Sequence, residues 1–127
     1  MITTLIIVDD QPSITHAIRE WLAFEPNMQV IGEAADGAAA LALVRDLHPD
    51  IVLTDIKMPH MDGFSMANHL RESDPTVSVV VLTVHDNKAN RARAQAAGVS
   101  AFVAKHEPAE ALLAALRGVA SRRLEQV

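Results

Sequence analysis

Five residues of this chain stand where chemistry is done: Asp9, Asp10, Asp55, Thr83 and Lys105. Each follows or closes a short apolar run. Leu5-Ile-Ile-Val8 leads into the acidic pair, Ile51-Val-Leu-Thr54 into Asp55, Val77-Ser-Val-Val-Val-Leu82 into Thr83, and Ala101-Phe-Val-Ala104 into Lys105. Consecutive β-branched residues of this length describe strands covered on both faces, and such strands lie parallel with their carboxyl ends on one edge. The pattern therefore predicts three carboxylates, a hydroxyl and an ammonium converging on one shallow site. Carboxylates gathered this closely repel unless a cation joins them, and hard oxygen donors of loose geometry suit a Mg2+ ion that keeps several waters. Lys105 and Thr83 suit an arriving anion instead. Phosphoryl is the anion that a magnesium ion, an ammonium and a hydroxyl can hold together.

Each residue also has a plain reading. Asp9-Asp10 could end a strand and cap a helix beginning near Pro12. Thr83 could be an ordinary strand residue, and Lys105 a solvated strand end. Asp55 resists such a reading, because a buried unpaired carboxylate is costly. The ordered set outweighs the separate alternatives.

The elements that position these residues follow from periodicity. A further strand is expected at Gln29-Val-Ile31. Helix-period segments lie at Ser13 to Phe24 (Ile14, Ala17, Ile18, Trp21, Leu22), Ala38 to Leu47 (Leu41, Val44, Leu47), Phe64 to Leu70, Asn87 to Ala97, and Pro108 to Ala120 (Leu112, Leu113, Leu116, Val119). The fourth of these offers only Ala89, Ala92 and Ala96 as an apolar face, with Gly98 as its stop, so it is expected to be the most loosely held. Met58-Pro59 and Asp62-Gly63 mark a tight loop after Asp55. Five strands alternating with five helices give a doubly wound α/β fold with a parallel sheet. In such folds ligands sit beyond the carboxyl ends of the strands.

Composition sets the bounds. At 127 residues one domain is expected, spanning 1–120, with 121–127 as a polar helix end or linker stub in which Arg122 and Arg123 sit on a solvated tail. The net charge of −5 disfavours binding to a phosphate backbone by this domain. Without Cys, disulfides, thiolate zinc and thiol nucleophiles are excluded. His16, His48, His60, His69, His85 and His106 form no zinc pattern and read as surface or loop residues. No segment approaches the roughly 20 apolar residues of a membrane span, and the expected location is cytoplasmic.

With Ile7-Val-Asp-Asp10, Asp55-Ile-Lys-Met-Pro-His-Met-Asp-Gly63, Leu82-Thr83 and Ala104-Lys105 in this order, the chain resembles, over essentially its whole length, the receiver domain of bacterial two-component response regulators. In style, including Gly32-Glu-Ala-Ala-Asp-Gly37 after the second strand, it is most similar to receivers joined to LuxR-type helix-turn-helix DNA-binding domains. The resemblance implies a flavodoxin-like receiver fold with strand order 2-1-3-4-5. It implies Asp55 as phosphoacceptor toward the phosphohistidine of a sensor histidine kinase or phosphotransfer protein. Mg2+ would be bound by Asp10, Asp55 and the backbone carbonyl of Lys57, with Asp9 acting largely through a water. Thr83 and Lys105 would contact phosphoryl oxygens, and Phe102 would be the aromatic switch. Lys57 and His85 are expected to tune water access, and Val84, bulkier than the small residues frequent there, to narrow it. The output would be a changed face of the fourth helix, fifth strand and fifth helix, used for homodimerisation or a separate target. No DNA-binding domain is present in these residues, so no direct DNA contact is expected.

Three alternatives stand beside this reading. A pseudo-receiver would keep the fold without being phosphorylated, which the presence of all five site residues disfavours. An aspartyl-nucleophile phosphohydrolase usually carries a second Asp two positions after the first, where this chain has Lys57. A nucleotide-binding module is weaker still, because no G-x-G-x-x-G occurs. Beyond its own phosphorylation and slow dephosphorylation, no enzyme activity is expected.

Overall fold

Strand and helix alternate throughout: β1 (Thr3–Val8), α1 (Pro12–Leu22), β2 (Met28–Ala34), α2 (Gly37–Leu47), β3 (Ile51–Thr54), α3 (Gly63–Ser73), β4 (Ser78–Thr83), α4 (Lys88–Ala96), β5 (Ala101–Ala104) and α5 (Ala109–Glu125). The computed structural model describes residues 1–125. All strand pairs are parallel, in the order β2-β1-β3-β4-β5, so the expected topology holds. Val8 is level with Thr54, Thr54 with Val81, and Thr83 with Ala104. Register alone thus carries the chemistry-bearing strand ends to one edge.

The continuous apolar runs divide their side chains between two layers, as the two-residue period of a strand requires. Leu5, Ile7, Ile51, Leu53, Val80, Leu82 and Val103 pack with Ile18 and Leu22 of α1 and Leu112, Leu116 and Val119 of α5. Ile6, Val8, Val52, Val79 and Val81 face Val44 of α2, Phe64, Met66 and Leu70 of α3, and Ala94 of α4. Among the described residues no helix is long and apolar enough to cross a membrane.

Several local expectations are corrected. β2 runs on to Ala34, so Gly32 to Ala34 belong to the strand rather than to the segment after it. A register irregularity between Leu5 and Ile6 accommodates the extra length. Helix α1 stops at Leu22 and leaves Phe24 90% exposed, while Leu47 at the end of α2 is 41% exposed. On α4 the alanines expected to face the core, Ala89, Ala92 and Ala96, are all exposed, and Ala94 and Ala97 are buried instead. The helix is turned because Asn87 caps it and Val99 N–H bonds back to the Ala94 carbonyl at 3.0 Å. Of the two readings offered for the stretch from Ser121, the polar helix end is the one seen: α5 continues to Glu125 with Ser121, Arg122, Leu124 and Glu125 exposed, while Arg123 is not on a solvated tail but bonds the Thr76 carbonyl, Ser78 Oγ and Asp50. Gln126 and Val127 lie outside the described residues.

Candidate functional site

Asp55 is the first residue after β3, and two features of its neighbourhood follow from sequence. Gly63 opens α3 directly against it: a Cβ at Gly63 would sit 2.2 Å from the Asp55 carbonyl oxygen. The Gly63 N–H donates to the Ile56 carbonyl at 2.8 Å, closing the loop that Met58-Pro59 and Asp62-Gly63 announce. Asp62 caps the helix through its carboxylate and the Ser65 N–H. β3 is therefore followed by a tightly returned turn, and Asp55 remains only 8% exposed.

Lys105, on the far strand end, reaches back across the edge. Its Nζ donates to Asp9 Oδ2 and to Asp55 Oδ2, each at 2.9 Å. The other oxygens are also engaged: Asp55 Oδ1 accepts from Ile56 N–H at 2.6 Å, and Asp9 Oδ1 from Gln11 N–H at 2.9 Å. Burial would depress the Lys105 ammonium, but the hydrogen bonds and charges of Asp55 and Asp9 outweigh it and hold its pKa above the usual lysine value. Thr83 is wholly buried on the adjoining strand end, its Oγ1 accepting from His85 N–H at 3.1 Å.

The expected set is thus brought together in part. Asp9, Asp55 and Lys105 meet, with Thr83 at the same edge. Asp10 is exposed, and among the described residues no three carboxylate or imidazole groups gather into one ligand cluster. Two of the three carboxylates, Asp9 and Asp55, are joined here by Lys105, which the sequence reading had reserved for an anion, and Asp10 stands exposed next to Asp9 in sequence. Lys57 and Val84 are exposed beside the edge, Val84 at 63%, and His85 is half-buried. Phe102 is half-buried on β5.

The sequence reading missed a second group around this edge. Asp36 caps α2 through Ala39 N–H at 2.8 Å and also bonds His60 Nδ1 at 2.8 Å. His60 lies in the loop after Asp55 with φ of 69°. Gly37 N–H donates to the Met61 carbonyl at 3.2 Å, and a Cβ there would meet that oxygen at 2.8 Å. The loop after Asp55 is thereby tied to α2. The signal was the Asp-Gly step 36–37 before a helix-period segment, which reads as a cap only when its partner loop is known.

Compared with known proteins, residues 5–117 match the response regulator receiver domain family. The chain belongs to that family. The receiver is 33% identical to the transcriptional regulatory protein DegU of Brevibacillus brevis over 91% of this chain and 49% of that protein. Among solved structures it resembles the signal receiver domain of the putative response regulator NarL from Mycobacterium tuberculosis, with a TM-score of 0.89 and 30% identity over 94% of this chain and 97% of that one. It also resembles a LuxR-family two-component response regulator from Aurantimonas sp. SI85-9A1, with a TM-score of 0.90 and 30% identity over 95% and 87% of the two chains. The chain spans about half the length of the curated relatives it matches.

Proposed function

We propose that this receiver accepts a phosphoryl group on Asp55 from the phosphohistidine of a sensor histidine kinase or phosphotransfer protein, in a Mg2+-dependent reaction. The observation that carries the reading is the shared ammonium: Lys105 holds Asp9 and Asp55 together at 2.9 Å each, beside the buried Thr83 hydroxyl. In the transfer, an oxygen of Asp55 attacks phosphorus while the phosphorus–nitrogen bond to the donor imidazole breaks. The imidazole keeps that electron pair and later takes a proton from solvent. Charge spreading over the equatorial phosphoryl oxygens is met by the Lys105 ammonium and by the Thr83 hydroxyl acting as donor.

The donor set fits a hard divalent cation. Asp9, Asp10 and Asp55 together exceed the single charge of Lys105, and the Lys57 carbonyl accepts no hydrogen bond among the described residues. Magnesium is held by one or two carboxylates plus waters, so a closed cage is not required. Asp10, Asp55 and the Lys57 carbonyl would hold it, with Asp9 reaching it through water. When bound it neutralises charge on the transferred group. Exposed Lys57 and Val84, with half-buried His85, border the entrance and set how readily water reaches the acyl phosphate.

Phosphorylation then changes the face of α4, β5 and α5, with Phe102 as its switch, and that face meets a second copy or a separate target. Transcriptional control through a DNA-binding domain outside these residues, and a cytoplasmic setting, follow from this reading. Incubation with Mg2+ and acetyl phosphate, read by intact mass, tests it. One phosphoryl adduct is expected, lost with a chelator and in Asp55→Asn. No adduct on the folded parent protein overturns it in favour of a phosphorylation-independent receiver.

A further inference from the structure

The Arg91 guanidinium of α4 lies over the Phe102 ring, 4.7 Å from its centroid. It is not a loosely placed surface arginine. Its Nε donates to Asp86 Oδ1 at 2.6 Å and one Nη to Asp86 Oδ2 at 3.0 Å. A forked pair of this kind fixes the plane of the guanidinium, which a lysine could not do. Asp86 stands three residues beyond Thr83, and the stretch between is tied at both ends. His85 N–H donates to Thr83 Oγ1 at 3.1 Å, and Asn90 Nδ2 donates to the His85 carbonyl at 2.9 Å. Asn87 caps α4 by accepting from Asn90 N–H at 2.8 Å. A chain of contacts thus runs from the Thr83 hydroxyl through His85 and the adjoining Asp86 to Arg91, and from Arg91 to the ring of Phe102.

We propose that Arg91, held by Asp86, is a positioning residue for Phe102 that keeps the ring in its half-buried resting place and opposes activation. The inference rests on the reading of Asp55 as phosphoacceptor and Phe102 as switch. A second stacked arginine sharpens the contrast. Arg93 lies 4.5 Å over the Phe64 ring, but it makes no ion pair among the described residues, and Phe64 is core. Arg93 has the same ring contact without the tie to the Thr83 loop.

The receiver has three Phe residues, at positions 24, 64 and 102, so the full chain labelled with 4-fluorophenylalanine gives three fluorine resonances, assigned by Phe→Leu substitution. Titration with beryllium fluoride in the presence of Mg2+, as a phosphoryl mimic, is followed at the Phe102 resonance, each variant referenced to its own endpoints. Releasing a ring–cation contact shifts a two-state balance by about two- to fivefold. Arg91→Ala and Asp86→Asn are expected to reach their midpoints at that much less beryllium fluoride than the parent protein. Arg91→Lys, which keeps the charge without the fork, is expected between them, and Arg93→Ala at the parent midpoint. Damage to the fold would weaken the response rather than strengthen it. Midpoints for Arg91→Ala and Asp86→Asn that equal or exceed the parent value overturn the proposal. A parent protein that binds beryllium fluoride while its Phe102 resonance stays fixed overturns the switch reading, and the proposal with it.

Discussion

With Lys105 shared between Asp9 and Asp55, neither buried carboxylate is left unpaired, and each depends on a residue on another strand. Removing the ammonium leaves two uncompensated acids at the edge. Lys105→Met is expected to lower stability by about 3 kcal/mol in urea titration at neutral pH, together with a large loss in the rate of phosphoryl adduct formation. Gly63 constrains the same site sterically. A Cβ placed 2.2 Å from the Asp55 carbonyl oxygen meets backbone, which has no rotamer to move into. Gly63→Ala is therefore expected to cost about 3 kcal/mol or more by the same measurement, whereas Gly118→Ala, inside α5 with its Cβ nearest a flexible arginine end at 3.4 Å, is expected to stabilise by up to about 1 kcal/mol. The types and order of Asp9, Asp55, Thr83 and Lys105 were legible because a parallel sheet maps strand ends to one edge. That Lys105 would serve both acids was not, since it depends on the reach of one side chain across 96 and 50 residues of sequence.

At the scale of elements, the caps decide where helices begin. The Asp36 carboxyl is held below the usual carboxylate range by the Ala39 N–H first and then by His60. A folded-state pKa below the unfolded one gives stability that is fully present above about pH 4 and lost as pH falls through the folded value. The stability gap between the parent protein and Asp36→Ala is therefore expected to hold at neutral pH and to close on acidification, as measured by urea midpoints across that range. Helix α4 is anchored by Ala94, with Ala97 just beyond its end, while α5 buries Leu112, Leu116 and Val119. Amide hydrogen exchange is expected to be faster in α4 than in α5, and equal protection in the two would contradict the view that α4 is the readily moved element. Strand positions and strand order were legible from apolar runs. The rotation of α4 was not, because alanines spread around a short helix give no phase. The length of β2 was hidden because an edge strand interrupted by Gly32 lacks a continuous apolar signature.

Over the whole molecule, one sheet separates two apolar layers, with α1 and α5 on one side and α2, α3 and α4 on the other. The site lies at the carboxyl edge of that sheet, where the ends of β1, β3, β4 and β5 emerge between the two layers. A chain with net charge −5 offers no electrostatic footprint for a duplex, and fluorescence anisotropy with a labelled duplex is expected to show no saturable binding by these residues. The central claim is that Asp55 becomes an acyl phosphate, and borohydride reduction tests it most directly, because an aspartyl phosphate is reduced to homoserine while other phosphoamino acids are not. After treatment with Mg2+ and acetyl phosphate, reduction and proteolysis, peptide mass spectrometry is expected to find homoserine at position 55 and at no other aspartate. Homoserine at Asp9 or Asp10, or unmodified Asp55 in a protein that has gained a phosphoryl group, would contradict the account.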